Sequence, residues 1–238
     1  MTHLKNLNPL LVLIITLLSL SSCGKKDEII AALSQSDAAE IIESNFQSNV
    51  GGLTTTIEDI AEQLILAVEE ADLCDQPYIK TVEQAHQGAQ FEGSYNSDIT
   101  YTMTCSGIMQ NPQTAAVTVQ SAASYVTPKI SSDDNSGFSG VVSGLQGLQL
   151  MLEGTFESTG VQEVSISDPM MISSQIEINL SSLVIEKLSL SIIEGDGSFS
   201  FTGSTQDEVF EYEGTIIFNG DNSATLIING EVHIIDWN

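Results

Sequence analysis

Few residues in this chain have side chains and spacings suited to covalent chemistry. The cysteines are Cys23, Cys74 and Cys105. His86 and His233 follow the N-terminal region, and neither sits in a recognisable motif. Ser139 and Ser143 lie near glycines, but not with the spacing of a nucleophile elbow. There is no H-E-x-x-H, no phosphate-cradling glycine loop and no C-x-x-C. No catalytic residue and no cofactor are therefore expected, and an enzyme ranks behind a binding protein. Asp133, Asp134 and Asn135 offer the oxygens that calcium, a hard cation, prefers. Their spacing is not that of an EF-hand and no acidic residue closes the loop, so a simple turn is the plainer reading. Glu208, Glu211 and Glu213 beside Asp207 suit a cation or an acid/base pair. Carboxylates on the wet face of a strand, however, are usually just solvated.

The charge balance narrows the partners. There are 32 acidic residues against 6 basic ones, a net charge of −26. The basic residues are all lysines: Lys5, Lys25, Lys26, Lys80, Lys129 and Lys187. Nucleic acid, phosphate and heparin-like partners are disfavoured, because affinity for them rests on clustered Lys and Arg. A direct electrostatic grip on anionic lipid is equally disfavoured. The acidity reads first as a well-solvated surface.

The N-terminal stretch says where such a protein is sent. Lys5 lies in a polar start and an apolar run follows from Leu10 to Leu20. That run is about eleven residues, roughly 16 Å as a helix, against the roughly 30 Å of a bilayer core. It reads as a secretory signal and not as a spanning helix. Leu20-Ser21-Ser22-Cys23-Gly24 resembles the bacterial lipobox. The resemblance implies cleavage before Cys23 and acylation of that cysteine. Residues 1–22 are then a lipoprotein signal peptide and 23–36 a tether. Lys25-Lys26-Asp27-Glu28 is similar to the lysine-plus-acid signal that sends lipoproteins of Bacteroidota to the cell surface. A plain solvated tether is the alternative. The expected location is the outer membrane of the cell, facing either the periplasm or the outside, with the membrane as partner through the lipid.

Residues 37–238 read as one α+β domain. Asp37-Ala38-Ala39-Glu40 resembles a capped helix start, with Ile41, Ile42 and Phe46 on one face. Gly51-Gly52 marks its end. A second helix is predicted from about Thr55 to Leu73, since Ile57, Ile60, Ala61, Leu64, Ile65 and Val68 recur at helical spacing. Glu58, Asp59, Glu62, Glu69 and Glu70 lie mostly off that stripe. From about 91 to 236 the period becomes two: Ile99, Tyr101 and Met103; Leu148, Leu150 and Leu152; Ile176, Ile178 and Leu180; Leu188, Leu190 and Ile192; Phe199 and Phe201. This predicts two N-terminal helices on an antiparallel β-meander with one dry and one wet face, an open, curved sheet or a partial barrel. Gly195-Asp196-Gly197, Asn219 to Asn222 and Asn229-Gly230 read as turns between strands. Ser131 to Gly137 reads as a loop by composition.

If lipid takes Cys23, Cys74 and Cys105 remain in an oxidising compartment and should pair. Cys105 shares strand parity with the apolar Ile99, Tyr101 and Met103, and Cys74 follows the second helix. A bond between them would fasten the helix end to the dry face near the end of the 99–105 strand. Two roles then stand open. One is a lipid-anchored binding or interaction module with a protein or small-molecule partner. The other is a carrier whose curved sheet holds a hydrophobic ligand, as periplasmic lipoprotein carriers do, an analogy of fold alone. A deep apolar pocket between helix and sheet would favour the carrier, and a filled core the module.

Overall fold

The computed structural model describes residues 33–46, 51–69, 74–88, 92–165 and 169–237. Residues 1–32, which hold the expected signal peptide, Cys23 and most of the expected tether, lie outside the described residues. Helix α1 spans Gln35–Ser44. Its cap is Ser34, not Asp37: the Ser34 side chain accepts from the Asp37 amide at 3.1 Å and its hydroxyl donates to the Asp37 carboxylate at 2.8 Å. The cap lies three residues nearer the N-terminus than expected, with Asp37 in the position expected for Glu40 and bonded to the Ser34 hydroxyl. Helix α2 spans Leu53–Val68. It is bolted to the end of α1, because the Leu53 amide donates to the Asn45 carbonyl at 2.8 Å and the Thr54 hydroxyl donates to the Phe46 carbonyl.

Ten antiparallel strands follow in simple meander order. They are β1 (Pro77–Gln87), β2 (Glu92–Ser106), β3 (Asn111–Val126), β4 (Ile130–Ser143) and β5 (Gln149–Val164). Then come β6 (Met170–Glu186), β7 (Ile192–Ser204), β8 (Val209–Gly220), β9 (Ser223–Ile228) and β10 (Glu231–Asp236). Each pairs with its neighbours in sequence, and β1 and β10 are the two edges of an open sheet. Period-two alternation puts one apolar row across the inner face: Ile99, Val119, Phe138, Phe156, Ile178 and Phe199 stand directly opposite one another in turn. Gly214 is a gap in the row before buried Ile228 of β9; a Cβ there would lie 2.5 Å from the Phe199 ring, so the missing side chain makes room for that ring.

Both flanks of the sheet reach the same helix. The Tyr125 hydroxyl on β3 donates to Ser44 at 3.1 Å, and Lys129 pairs with Glu40 at 2.9 Å. Phe46, just past α1, packs its ring against Phe218 of β8 and Trp237 after β10, at 6.2 and 6.0 Å between centroids. The sheet therefore curves around the helices. This is why the first half of α2 is buried almost all round, with Thr54, Thr55, Thr56 and Asp59 buried beside Leu53, Ile57 and Ile60, while Glu62 and Leu66 farther along are exposed.

Four expectations are corrected. The stretch 131–137 is the middle of strand β4, because β3 and β5 supply ladder partners on both sides and the pairing overrides turn-like composition. Gly195 to Gly197 lies inside β7 and pairs with β8. Leu148, Leu188 and Leu190 are not in strands but in hairpin tips, Leu148 between β4 and β5 and the other two between β6 and β7, where Leu190 has φ 57°. The sheet begins at Pro77, earlier than expected, with β1 almost wholly exposed on both faces. Asn229-Gly230 behaves as its composition indicates, with φ of 50° and 89°, the left-handed pair that a tight hairpin needs. Cys74 and Cys105 form a disulfide with their Cα atoms 5.6 Å apart. Because α2 ends at Val68, the bond fastens the segment leading into β1 to the end of β2.

Candidate functional site

Between the helices and the sheet the interior is packed. Phe46, Phe156 and Phe201 are fully buried there together with Ile41, Ile42, Leu53, Ile57 and Leu64. The pocket described between the helix termini and the sheet measures about 10 Å³, about one water-sized probe, whereas a small-molecule site occupies roughly 300–1,000 Å³. It is lined by Ser44, Asn45, Tyr125, Asp134 and Ser158 among others, so this end of the interior is polar.

That polar seam is closed on itself. Asp134 is 8% exposed and accepts from the Ser132 hydroxyl at 2.6 Å. It lies over Gly160, where a Cβ would meet its carboxylate oxygen at 1.7 Å. Burial pushes the Asp134 carboxyl up to about 6, while bonds from Ser132, Tyr125 and Gln162 pull the other way. Asp59 on α2 is 7% exposed and accepts from the Tyr95 hydroxyl of β2 at 3.0 Å. Burial pushes it up to about 6 as well. Burial also raises the Tyr95 and Tyr125 hydroxyls well above the ordinary phenol range. The Asp59–Tyr95 contact holds α2 to β2, and the Tyr125 hydroxyl ties β3 to α1 through Ser44.

The outer face of the same strands is open. A groove of about 730 Å³ crosses β1 to β4. Register explains it. Ala85, Ser94, Ser124 and Asp133 stand opposite one another in one row, and Glu83, Asn96, Ala122 and Asn135 in the next. Small side chains from three strands make a floor, and longer acids and amides stand around it. A second groove of about 500 Å³ lies on the other side of β4, lined by Thr159, Ser173, Gln175 and Thr202 and by the same Asp133 and Asn135. No lysine lines either groove. The arrangement can accept hydrogen bonds, donate them through amides and hydroxyls, and favour a positive charge. It repels anions.

Asp133, Asp134 and Asn135 therefore do not act together. Neighbours on a strand point to opposite faces, so Asp133 and Asn135 face the groove while Asp134 faces the interior. Among the described residues no group of three His, Cys, Asp or Glu side chains is placed to hold a metal ion. Glu211 and Glu213 are on β8, with Asp207 and Glu208 in the turn before it. Cys23 lies outside the described residues. The sequence reading missed Glu83, Asn96 and the small-residue floor. The available signal was the run Ala122 to Ser124, where side chains of outward parity are too small to cover their strand. Comparison with known protein families, with curated proteins and with solved structures finds no match to this chain.

Proposed function

We propose that this protein is a lipid-anchored lipoprotein of the outer membrane, held through Cys23 and facing the periplasm or the cell surface. In this reading it is a binding module, and the partial barrel made by its curved sheet is a scaffold with its binding surface outside. The observation that carries this is the contrast in free space. The pocket described under the helices is about 10 Å³, and the groove outside β1 to β4 is about 730 Å³. The carrier reading has less support, since an acyl chain needs an interior cavity far larger than one water. Glu83, Asp133, Asn96 and Asn135 favour a neutral polyhydroxylated or cationic ligand over an anionic or apolar one.

Two measurements test the proposal. Intact mass of the mature protein should show acylation at Cys23, lost in Cys23→Ser. Titration of the purified protein with neutral oligosaccharides, polyamines and anionic oligosaccharides should give binding from the first two sets, abolished by Ser124→Trp, which fills the groove floor. An apolar lipid co-purifying in fixed ratio, with binding indifferent to Ser124→Trp, would refute the module reading.

A further inference from the structure

The meander has two ends, and their hairpin tips differ. At one end the tips that lie wholly within the described residues join β3 to β4, β7 to β8 and β9 to β10, and carry Thr127 to Lys129, Thr205 to Glu208 and Asn229-Gly230. These are ordinary polar turn residues. At the other end lie four tips; the one joining β8 to β9 carries Asp221 and Asn222. The three joining β2 to β3, β4 to β5 and β6 to β7 carry Ile108 and Met109, Leu148, and Leu188, exposed by 103%, 85%, 83% and 92%. The next most exposed large apolar side chain among the described residues is Val209, at 80%, a single residue beside the β7–β8 tip of the opposite end. Single exposed apolar residues need no explanation, but four on three neighbouring tips at one end form a pattern. Successive tips at this end are two strands apart, so the row is about 20 Å long.

We propose that these four side chains dip into the lipid surface that holds the chain. The proposal rests on the reading of Cys23 as the lipid anchor. Three observations select a lipid surface over a protein partner. The tips project as separate points, and none of the described grooves includes any of them, so they suit a fluid apolar phase with no shape to match. The net charge of −26 then requires uncharged or zwitterionic headgroups. Chain length allows it. The Tyr212 hydroxyl donates to the Leu33 carbonyl, and Tyr212 is eight residues from the end of β8 at this end of the sheet, about 26 Å. The ten residues from Cys23 to Leu33 span up to about 35 Å when extended, so lipid at Cys23 and the tips can share one surface.

The test uses the full lipidated protein in phosphatidylcholine vesicles with a fraction of brominated lipid. Ile108→Trp and Leu188→Trp place fluorophores on the row, and Gln206→Trp places one at the opposite end; the native Trp237 is buried and gives a common background. The expected result is at least twofold quenching for Ile108→Trp and Leu188→Trp and none for Gln206→Trp. If the protein floats with the vesicles but the tip variants are quenched no more than Gln206→Trp, this proposal is overturned and the anchor stands. If the protein carries no acyl group at Cys23 and does not float, the anchor reading falls and this proposal with it. Deleting five tether residues should abolish the tip quenching while flotation persists, and undiminished quenching in that variant would also count against it.

Discussion

The two faces of the sheet around β4 use the same residue types for opposite ends. Inside, Asp134, Ser132, Tyr125, Gln162 and Ser174 are buried and bonded to one another or to α1. Outside, one residue away in sequence, Asp133 and Asn135 stand over a floor of small side chains with their polar atoms turned to water. A buried polar group is held to its partners by the penalty of losing them, so the inner set positions helices. A solvated polar group exchanges partners freely, so the outer set can receive a ligand. The difference lies in which side of the strand the helices cover. Changes to the inner face should therefore alter stability, and changes to the outer face should alter binding alone.

The sharpest way to break this comparison is at adjacent positions of β5. Phe156 is 1% exposed in the inner row, whereas Thr155 points outward. Phe156→Ala should lose about 3–5 kcal/mol in urea unfolding, and Thr155→Ala less than about 0.5. Similar losses at both sites would mean that the outer face is also packed against something. The disulfide belongs to neither face. It closes a separation of 31 residues, for which chain entropy gives about 3–4 kcal/mol. The Cys74→Ser, Cys105→Ser double variant should lose that much with its groove ligand still bound. A loss of binding along with stability would couple the edge to the groove.

The inner acids make a prediction in pH. Asp59 and Asp134 are raised to about 6, so each prefers its proton more in the folded than in the unfolded chain. Their favourable contribution is complete below about pH 4, falls as the pH rises, and is gone once the pH has passed about 6. A displacement of that size corresponds to at most about 3 kcal/mol per group. Burial raises Glu43 and Glu58 too, with the same sign. The protein should thus melt at a higher temperature at pH 5 than at pH 7.5. Asp134→Asn should be the more stable protein at pH 7.5 and should show a flatter profile. A stability maximum near pH 8 would contradict the closed inner seam. Salt acts on the outer carboxylates and has a smaller effect. Sodium chloride should raise the melting temperature by about 2–4 °C through screening, with calcium adding nothing beyond its ionic strength. A saturable calcium response at micromolar concentration would place a metal where Asp133 and Asn135 stand.

Much of the meander is legible because burial writes period two into the chain, as at Ile176, Ile178 and Leu180, and because Asn229-Gly230 specifies its own turn. What is not legible has a physical cause in each case. Strand β1 buries neither face, so Tyr78, Lys80 and Val82 carry no contrast to read. Strand β4 buries Ser132 and Asp134 among hydroxyls, so its inner residues have the composition of a loop. Asp59 lies off the apolar stripe of α2, so nothing in its own segment marks it for burial, and only the curvature of the sheet, a property of all ten strands, brings Tyr95 to cover it. The groove needs Ala85, Ser94, Ala122 and Ser124 to meet across three strands, and that register is not contained in any one segment. The disulfide was legible from the cysteine count once Cys23 was set aside, but its place ahead of β1 was not.

The smallest expected effect is the most specific. Asp133→Asn removes one charge and nearly no volume from the outer face, one position from Asp134. Its side chain is exposed, so stability should change by less than about 0.5 kcal/mol; the charge of Asp133 helps to raise Asp134, so the pH profile should keep its sign while the Asp134 part moves toward lower pH. Binding should respond differently according to the ligand. A cationic ligand loses a charge-assisted partner and should weaken by roughly tenfold, about 1.4 kcal/mol, whereas a neutral polyol keeps an amide in its place and should change little. Measuring both ligands with Asp133→Asn and with Asp134→Asn gives four numbers. If Asp134→Asn alters the affinity as much as Asp133→Asn does, the two faces are not independent and the groove is read through the strand. If only Asp133→Asn does so, and only for the cation, the groove is a charged receptor built on a scaffold that does not sense it.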